Sequence, residues 1–382
     1  MSISIIPVRT ENDKRLFYRF AFRVYQKDPN WVPHLWPQRK EYLDKKAAFF
    51  TYGAGDFWLA KDGDEIVGTI GTAIDPPRNR AMKWKAANFG FFEVLPGRFD
   101  AALAMWDHAC AWARAHGMDE LIGPYSFSGN DEQGFLVEGF ATPPSVLMGH
   151  NPPYYMEYAE RYGFHKSELG DLVAYRFDLS SIGFDIRNAP EIIHKIAARC
   201  RQRHGDAIIR TPRLRDWDAE IAPLHAVYNT SLAVLPEFSP IELAEFRSQA
   251  EGLREIMDPE LVLIAEVDGK VVGFALGLPN ITEALSHAHG LQSPLDYLRF
   301  LLAKRHIKSA SFKILAIDPQ YWGYGIDALM FLEMGRAVLR KGYTWIDASL
   351  TGEFNPQTNK LATRVGSHVY RRYREYRLKL GS

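Results

Sequence analysis

The feature that most constrains the fold is a weak internal repeat, in which segments of the second half of the chain resemble segments of the first at a spacing of about 200 residues. Phe57 to Ile70 and Leu261 to Leu276 both alternate around an Asp-Gly pair, which predicts a β-hairpin with a positive-φ glycine at its tip. Asp100 to His116 and Ile326 to Lys341 then carry apolar residues at helical spacing. Self-similarity at a fixed spacing indicates one structural unit encoded twice.

The two repeats also continue and end alike. Each predicted helix closes with a glycine and leads into a short strand, Glu120 to Gly123 in the first half and Thr344 to Ala348 in the second. A terminal strand follows in each half, Tyr175 to Leu179 and Tyr376 to Leu380. The order strand, one or two helices, hairpin, strand, helix, strand, helix, strand predicts an α/β (α+β) unit with a mixed sheet and helices on both faces.

The boundary between the repeats is predicted near residue 185. Ser180 to Ala189 has the composition of a linker, and Pro190 suits the start of a helix from Glu191 to about His204. We therefore expect one domain over 1–184 and a second over 185–382. The second unit also inserts Pro279 to Ser309, whose amphipathic stretch Leu295 to His306 is either a lid over a pocket or a packing helix.

Composition excludes several classes of partner. The chain has 46 Lys and Arg residues and 46 Asp and Glu residues, so its basic and acidic charges cancel. It therefore has no large positive electrostatic field to hold a nucleic acid. Cys110 and Cys200 form neither a disulfide framework nor a zinc ligand set, which favours a reducing cytoplasm. No apolar run approaches the roughly 18 residues of a membrane span, and the first residues lack the charge and cleavage pattern of a signal peptide. An integral membrane protein is not expected.

The segment Phe312 to Ala328 combines an apolar strand, a proline stop, a glycine-containing turn and a helix beginning near Ile326. Such a turn aligns unpaired backbone N–H groups and the positive end of the helix dipole, so a diphosphate can bind there. Gly323 and Gly325 would allow close approach. The alternative is a tight connection that binds nothing. The spacing fits neither the dinucleotide fingerprint nor the Walker loop.

This turn resembles that of the GCN5-related N-acetyltransferase superfamily. Pro319, Gly323 and Gly325 match the family's Pro-x-x-(Arg/Gln)-Gly-x-Gly-x-(Gly/Ala) pattern, whereas Trp322 and Asp327 depart from it. The resemblance implies two tandem folds of this superfamily in a bacterial-type N-acyltransferase-like protein. It also implies a site for acetyl-CoA or another acyl-CoA, formed in the second half by Ala316, Ile317, Asp318, Trp322, Gly323, Tyr324, Gly325, Ile326, Asp327 and Asn355.

A second family signature follows in the expected order. Asn355 to Gly366 is similar to the family's Asn-x-x-Ala-x-x-Leu-Tyr-x-x-x-Gly helix, but Ala362 replaces the tyrosine that protonates the departing thiolate. Solvent, Tyr370 or Tyr373 would then be the proton donor.

The first half carries the same helix without the glycine turn. Asn151 to Phe164 resembles this helix, while Glu93 to Asp100 lacks the turn, which implies that the first unit keeps the fold and has lost the coenzyme cradle. The tyrosines in Asn151 to Phe164 have spacings of three and four, as on one packed helix face.

A long polar loop in the first half, Ser126 to His150, is the candidate acceptor site. Its acidic residues include Asp131 and Glu138, which are our candidates for the base that takes a proton from an ammonium group. The alternative is a solvated loop with a few apolar anchors. The twelve histidines form no metal-binding motif, so no metal is expected, and His150 is interpreted as a surface or capping residue.

Taken together, these patterns favour direct N-acyl transfer from an acyl-CoA to a small-molecule amine. The catalytic candidates are Asp131, Glu138 and Tyr370. Two alternatives stay open: a non-catalytic acyl-CoA-binding or regulatory protein with degenerate folds, and an acyltransferase for long-chain or lipid amines, which the apolar stretch Leu295 to Leu302 suggests.

Overall fold

A computed structural model describes residues 3–127, 132–205, 207–235, 238, 240–254 and 256–381. The strands described in the first half are β1 (Ser4–Pro7), β2 (Ala54–Asp62), β3 (Glu65–Ile74), β4 (Ala86–Val94), β5 (Glu120–Gly123), β6 (Phe135–Glu138) and β7 (His165–Asp178). The helices described in this half are α1 (Glu11–Val24), α2 (Trp36–Leu43), α3 (Pro76–Met82), α4 (Phe99–Ala115) and α5 (Tyr154–Tyr162).

The second half repeats the pattern with additions. Its described strands are β8 (Ile208–Arg210), β9 (Val262–Val267), β10 (Lys270–Pro279), β11 (Ser309–Ile317), β12 (Trp345–Gly352) and β13 (His368–Lys379). Its described helices are α6 (Glu191–Arg203), α7 (Trp217–Leu232), α8 (Leu243–Arg254), α9 (Thr282–Leu285), α10 (Pro294–Ala303), α11 (Ile326–Arg340) and α12 (Pro356–Arg364). The predicted mixed α/β architecture is confirmed, and the two hairpin turns have the expected positive-φ glycines, Gly63 and Gly269.

All described strands belong to one sheet with a nearly symmetric order: β1-β2-β3-β4-β5-β13-β7-β12-β11-β10-β9-β8, with β6 also paired to β13. The strand that ends each half therefore lies beside the fifth strand of the other half. Asp178 of β7 pairs with Trp345 of β12, and Lys379 of β13 pairs with Glu120 of β5.

The sequence does not show this exchange of terminal strands between the two halves. The reason is that alternation and β-propensity define a strand and its buried face, but not which neighbour it pairs with. The two halves are interlocked, because removing β13 would open the sheet of the first half. The division of the chain at 184 and 185 stays a prediction.

In both halves one parallel strand pair separates before its end. β4 pairs with β5 only over Ala86–Asn88, and β11 pairs with β12 only over Ser309–Phe312. The carboxyl-terminal parts of β4 and β11 therefore lose their parallel neighbour. This leaves a cleft at the end of each strand, which is the position where α/β sheets commonly bind ligands.

The helix α4 fixes the end of β4 by packing against the sheet. Its face buries Ala102, Met105, Trp106 and Ala109 completely, at the helical spacing that the sequence predicts. Among the described residues, no helix is both long enough and apolar enough to cross a membrane.

Candidate functional site

The main cavity lies at the separated end of β4, in the first half. Its volume is about 90 Å³. One side is aromatic and comes from α1, the segment after it and β4; its residues are Phe17, Tyr18, Phe22, Tyr25, Trp31, Phe91 and Phe92. The other side comes from the loop predicted to bind the acceptor, and includes Ser126, Glu132, Gly134, Gly149 and His150. An apolar wall facing a few polar groups is the usual form of a small-molecule site.

Glu93 is the central polar group of this cavity. Tyr155 donates a hydrogen bond to Glu93 Oε2 at 2.6 Å, and the hydroxyl of Tyr25 lies 3.3 Å from Oε1. Burial raises the pKa of Glu93 to about 8, although the hydrogen bonds from Tyr155 and Tyr25 act in the opposite direction. A carboxyl group with this pKa exchanges a proton near neutral pH, as a general base requires.

Tyr155 ties Glu93 to the backbone of β4. The Val94 N–H donates to the Tyr155 hydroxyl at 2.8 Å, and Tyr154 donates to the Val94 carbonyl at 2.7 Å. The predicted packed face of α5 is correct, since Tyr155 and Tyr158 are buried. The face has an additional role, because Tyr155 also fixes the orientation of the Glu93 carboxyl.

A buried histidine closes the polar side of the cavity. His150 Nδ1 lies 3.2 Å from Arg371 Nη2, and Nε2 lies 2.8 Å from Asp28 Oδ2. A guanidinium only donates, so Nδ1 accepts and Nε2 carries the proton that is given to Asp28. Burial lowers the pKa of His150, which favours this neutral form. The interpretation of His150 as a surface or capping residue is wrong, since only 2% of its side chain is exposed.

Charged groups of both signs face one another at the same cavity. The Arg39 guanidinium lies 4.2 Å from the centre of the Phe91 ring. His34 Nδ1 lies 3.3 Å from Glu132 Oε1, while burial holds the pKa of His34 well below its usual value. Glu132 and Glu93 both act on Arg39 electrostatically. The site therefore offers carboxylates that attract an ammonium group and a cation that limits their mutual repulsion.

The second half lacks the equivalent of Glu93. Val94 pairs with Gly68 of β3, and Ile317 pairs with Gly273 of β10, which puts β4 and β11 in register. In this register Ala316 stands where Glu93 stands in the first half. The repeat therefore preserves the strand and not its acidic residue.

The centre of β11 instead carries a buried polar cluster around Asp347. Ser311 donates to Asp347 Oδ2 at 2.5 Å, and Lys313 Nζ lies 3.3 Å from the same oxygen. Tyr370 donates to Asp347 Oδ1 at 2.9 Å. Burial and the neighbouring Asp347 raise the pKa of Tyr370 well above its usual value, so this candidate proton donor is a neutral phenol bound to a carboxylate.

The other two catalytic candidates are Asp131 and Glu138. Asp131 lies outside the described residues. Glu138 is largely exposed at the end of β6, and its Oε2 lies 3.3 Å from Arg372 Nε. The structure therefore pairs Glu138 with Arg372 and Tyr370 with Asp347, and their catalytic roles stay predictions.

The glycine turn predicted to bind the coenzyme has the expected backbone. Gly323 and Gly325 have φ values of 78° and 89°, and Gly325 caps the start of α11. A Cβ atom on Gly323 would meet no other atom within 4 Å, whereas one on Gly325 would lie 2.8 Å from Ile196 Cγ2. The turn is therefore open at Gly323 and packed against α6 at Gly325.

The end of β11 at this turn already has hydrogen-bond partners within the chain. The Ile317 N–H donates to Ser231 Oγ at 3.0 Å, and Trp322 Nε1 donates to the Ile317 carbonyl at 2.8 Å. The Asp318 N–H donates to the Val272 carbonyl at 2.8 Å. A pantetheine arm could accept a hydrogen bond from the Ile317 N–H here only by displacing Ser231, whereas the Ile317 carbonyl can accept a second hydrogen bond beside that of Trp322.

The remaining residues of the predicted coenzyme set have mixed surroundings. Ala316 and Ile326 are buried, and Tyr324 stacks on His204 with 4.5 Å between ring centres. Asp327 lies in the first turn of α11. Asn355 caps α12 by accepting from the Thr358 N–H at 3.2 Å. The acyl-CoA site at this turn stays a prediction.

Comparisons with known proteins agree with this architecture. The chain is 30% identical to the bacterial ceramide synthase of Caulobacter vibrioides (strain NA1000 / CB15N), over 98% of this chain and 97% of that protein. It is 28% identical to protein YghO of Escherichia coli (strain K12), over 96% and 93% of the two chains. A tandem GNAT protein from the clavulanic acid biosynthesis pathway superposes with a TM-score of 0.61 at 15% identity, over 100% and 99%. No protein-family model matches the sequence.

Proposed function

The chain belongs to the same family as the bacterial ceramide synthase and has the fold of a tandem GNAT protein, and on this premise we propose how it acts. It transfers an acyl group from an acyl-CoA directly to the amine of a small molecule bound in the cavity of the first half. The observation that carries this proposal is Glu93, a carboxyl with a pKa of about 8 at the separated end of β4.

The reaction needs a group that removes a proton from the amine. A free aliphatic amine has a pKa near 10, so it arrives as an ammonium ion without a lone pair for attack. The Glu93 carboxylate accepts this proton, and the neutral amine attacks the thioester carbonyl. A C–N bond forms and the C–S bond breaks. The nitrogen releases its second proton to water as the amide forms, and the departing thiolate takes a proton from the Glu93 carboxyl or from water.

Two positions compete for the acyl-CoA. Five strand spacings separate β4 from β11 in the sheet, which is roughly 24 Å at about 4.8 Å each. A thioester at the end of β11 would therefore lie far from Glu93. We favour the end of β4, where Gly97 (φ 77°) precedes α4 and where Arg161 on the neighbouring α5 supplies positive charge. The turn containing Gly323 is the competing position.

The acceptor is proposed to be a long-chain amine. Ceramide is the fatty-acyl amide of a long-chain amino alcohol, and a relative that covers nearly the whole chain is named a ceramide synthase. The aromatic residues that line one side of the cavity suit the apolar part of such an amine next to the base. This favours a long-chain or lipid amine over a short polar one.

The experiment is a transfer assay read by mass spectrometry. Purified protein is incubated with acetyl-CoA or palmitoyl-CoA and with either a long-chain amino alcohol or a short one such as ethanolamine. The proposal predicts an amide product with the long-chain amine that Glu93→Gln largely abolishes. Acyl-CoA binding in calorimetry without any product would favour the non-catalytic alternative, whereas a product only with short amines would leave acyl transfer in place and overturn the long-chain acceptor.

A further inference from the structure

The helix α10, in the insertion between β10 and β11, exposes an unusually apolar surface. Leu295, Tyr297, Leu298, Leu301 and Leu302 are each 45 to 59% exposed, although they fall within eight consecutive residues. Single exposed apolar residues are ordinary in folded proteins, but a contiguous group usually marks an interaction site. We call these five residues the α10 apolar face.

The helix itself is well anchored, so this exposure is a feature of the fold. Ser293 and Asp296 form a reciprocal capping box at its start, and Pro294 occupies the first turn. Phe300 packs against the buried cluster that contains Ile281 and Leu285. At 100° per residue, the α10 apolar face covers an arc of roughly 160° on the side away from Asp296 and Phe300.

Apart from Asp296 in its first turn, the charged residues on α10 and just after it are positive. Between 297 and 308 the chain has four basic residues, Arg299, Lys304, Arg305 and Lys308, and no acidic residue. Arg299 pairs with Asp296 at 3.2 Å within the helix. The other three make no ion pair with any residue that the structure describes. By the same 100° projection, Arg299 and Lys304 lie at the two borders of the apolar arc.

From this arrangement we propose that the α10 apolar face docks on an anionic lipid bilayer. Apolar side chains would enter the region between headgroups and acyl chains, while the basic residues at the borders contact lipid phosphates. With ten residues α10 is too short to span a membrane, so it would lie in the plane of the surface. A second copy of the chain fits the charges less well, because it would bring two sets of basic residues together.

The face is connected to the cavity described above. The carbonyl of Gly290, four residues before α10, accepts a hydrogen bond from the Trp36 N–H at 2.7 Å and lies 3.4 Å from the hydroxyl of Tyr18. Tyr18 lines the main cavity, and together with Arg15, Arg19, Trp36 and Gln292 it also lines a second one. Docking at α10 would therefore place the cavity wall near the membrane surface. The docking inference itself does not depend on the proposed function.

The test is co-sedimentation of the full chain with vesicles of phosphatidylcholine, with and without phosphatidylglycerol. The wild type is expected to bind the phosphatidylglycerol vesicles at least tenfold more tightly, with binding that weakens as salt is added. Leu298→Glu/Leu302→Glu should lower the affinity for these vesicles at least tenfold. Lys304→Glu/Arg305→Glu should remove the preference for phosphatidylglycerol.

The matched control is Ile192→Glu/Ile208→Glu, which adds the same two negative charges at apolar positions that are 45% and 55% exposed on α6 and β8, and it should bind like the wild type. Circular dichroism and thermal melting establish that each variant is folded. Wild-type protein that stays in the supernatant, or a Leu298→Glu/Leu302→Glu variant that sediments as well as the wild type, overturns the proposal. The proposal is also overturned if light scattering shows that the wild type is a dimer and that Leu298→Glu/Leu302→Glu is a monomer, while the wild type binds no vesicles.

Discussion

Arg371 and His150 lie 221 residues apart in sequence, yet Arg371 Nη2 and His150 Nδ1 are separated by only 3.2 Å. Arg371 is completely buried on β13, the strand contributed by the second half, and it also donates to the Thr142 carbonyl at 2.6 Å. The exchanged strand therefore holds the loop that forms the polar side of the cavity. The site of the first half is completed by the last strand of the chain.

Replacing Arg371 with methionine tests this role. The variant keeps an apolar stem but loses the charged donors, which should destabilise the protein by about 2 kcal/mol and raise the KM of the amine more than it lowers kcat. Urea unfolding and steady-state kinetics measure the two effects. Arg372→Met, on the same strand but paired at the surface, should cost less than about 1 kcal/mol. Equal effects in both variants would contradict a positioning role for Arg371.

Tyr155→Phe should move the pH dependence of the reaction. The hydrogen bond from Tyr155 stabilises the Glu93 carboxylate, so its loss raises the pKa of Glu93 further above 8. The midpoint of the pH–rate profile is then expected to shift upward. Tyr158→Phe, on the same helix, is the control, because Tyr158 makes no hydrogen bond with Glu93 among the described residues. A midpoint that does not move in Tyr155→Phe would contradict the coupling.

Glu93 should also affect the stability of the protein. Its pKa rises from 4.5 in the unfolded chain to about 8 in the fold, so the folded state favours the protonated carboxyl. The stability that protonation contributes is fully present below pH 4.5 and is lost as the pH rises through 8. Glu93→Gln should therefore raise the Tm at pH 9 and leave it nearly unchanged at pH 4. A Tm difference of the same size at both pH values would argue against this pKa.

A matched pair of glycine variants locates the acyl-CoA. Gly97 and Gly323 both have positive φ, and a Cβ atom at either would meet open space. Aspartate tolerates this conformation better than most residues and adds a negative charge that repels a diphosphate. We expect Gly97→Asp to weaken acyl-CoA binding in calorimetry by tenfold or more and Gly323→Asp to have little effect. The reverse result would assign the coenzyme to the turn of the second half.

The sequence predicted the repeated unit because alternation, helical spacing and turn glycines are local signals. Trp106 and the buried face of α4 followed from spacing alone. The exchange of β7 and β13 could not be predicted, since it depends on pairing between distant segments. For the same reason the sequence does not show the burial of His150, whose partner Arg371 lies in the other half of the chain.

Glu93 was missed for a different reason. In sequence it is one acidic residue near the end of a strand, and only the aromatic surroundings in the folded chain raise its pKa. The glycine turn of the second half gave a stronger local signal. The packing of Gly325 against Ile196 of α6 cannot be seen in the sequence, because α6 lies more than a hundred residues before this turn.

The central claim is tested most directly by the pH dependence of kcat/KM for the long-chain amine in wild type, Glu93→Gln and Glu138→Gln. The kcat/KM of the wild type should rise about tenfold per pH unit below pH 8 and level off above it, and that of Glu138→Gln should follow the same curve. Glu93→Gln should be slower by about 10²- to 10⁴-fold and lack the inflection near 8. A Glu93→Gln profile identical to that of the wild type, or an equal loss in Glu138→Gln, would contradict the account.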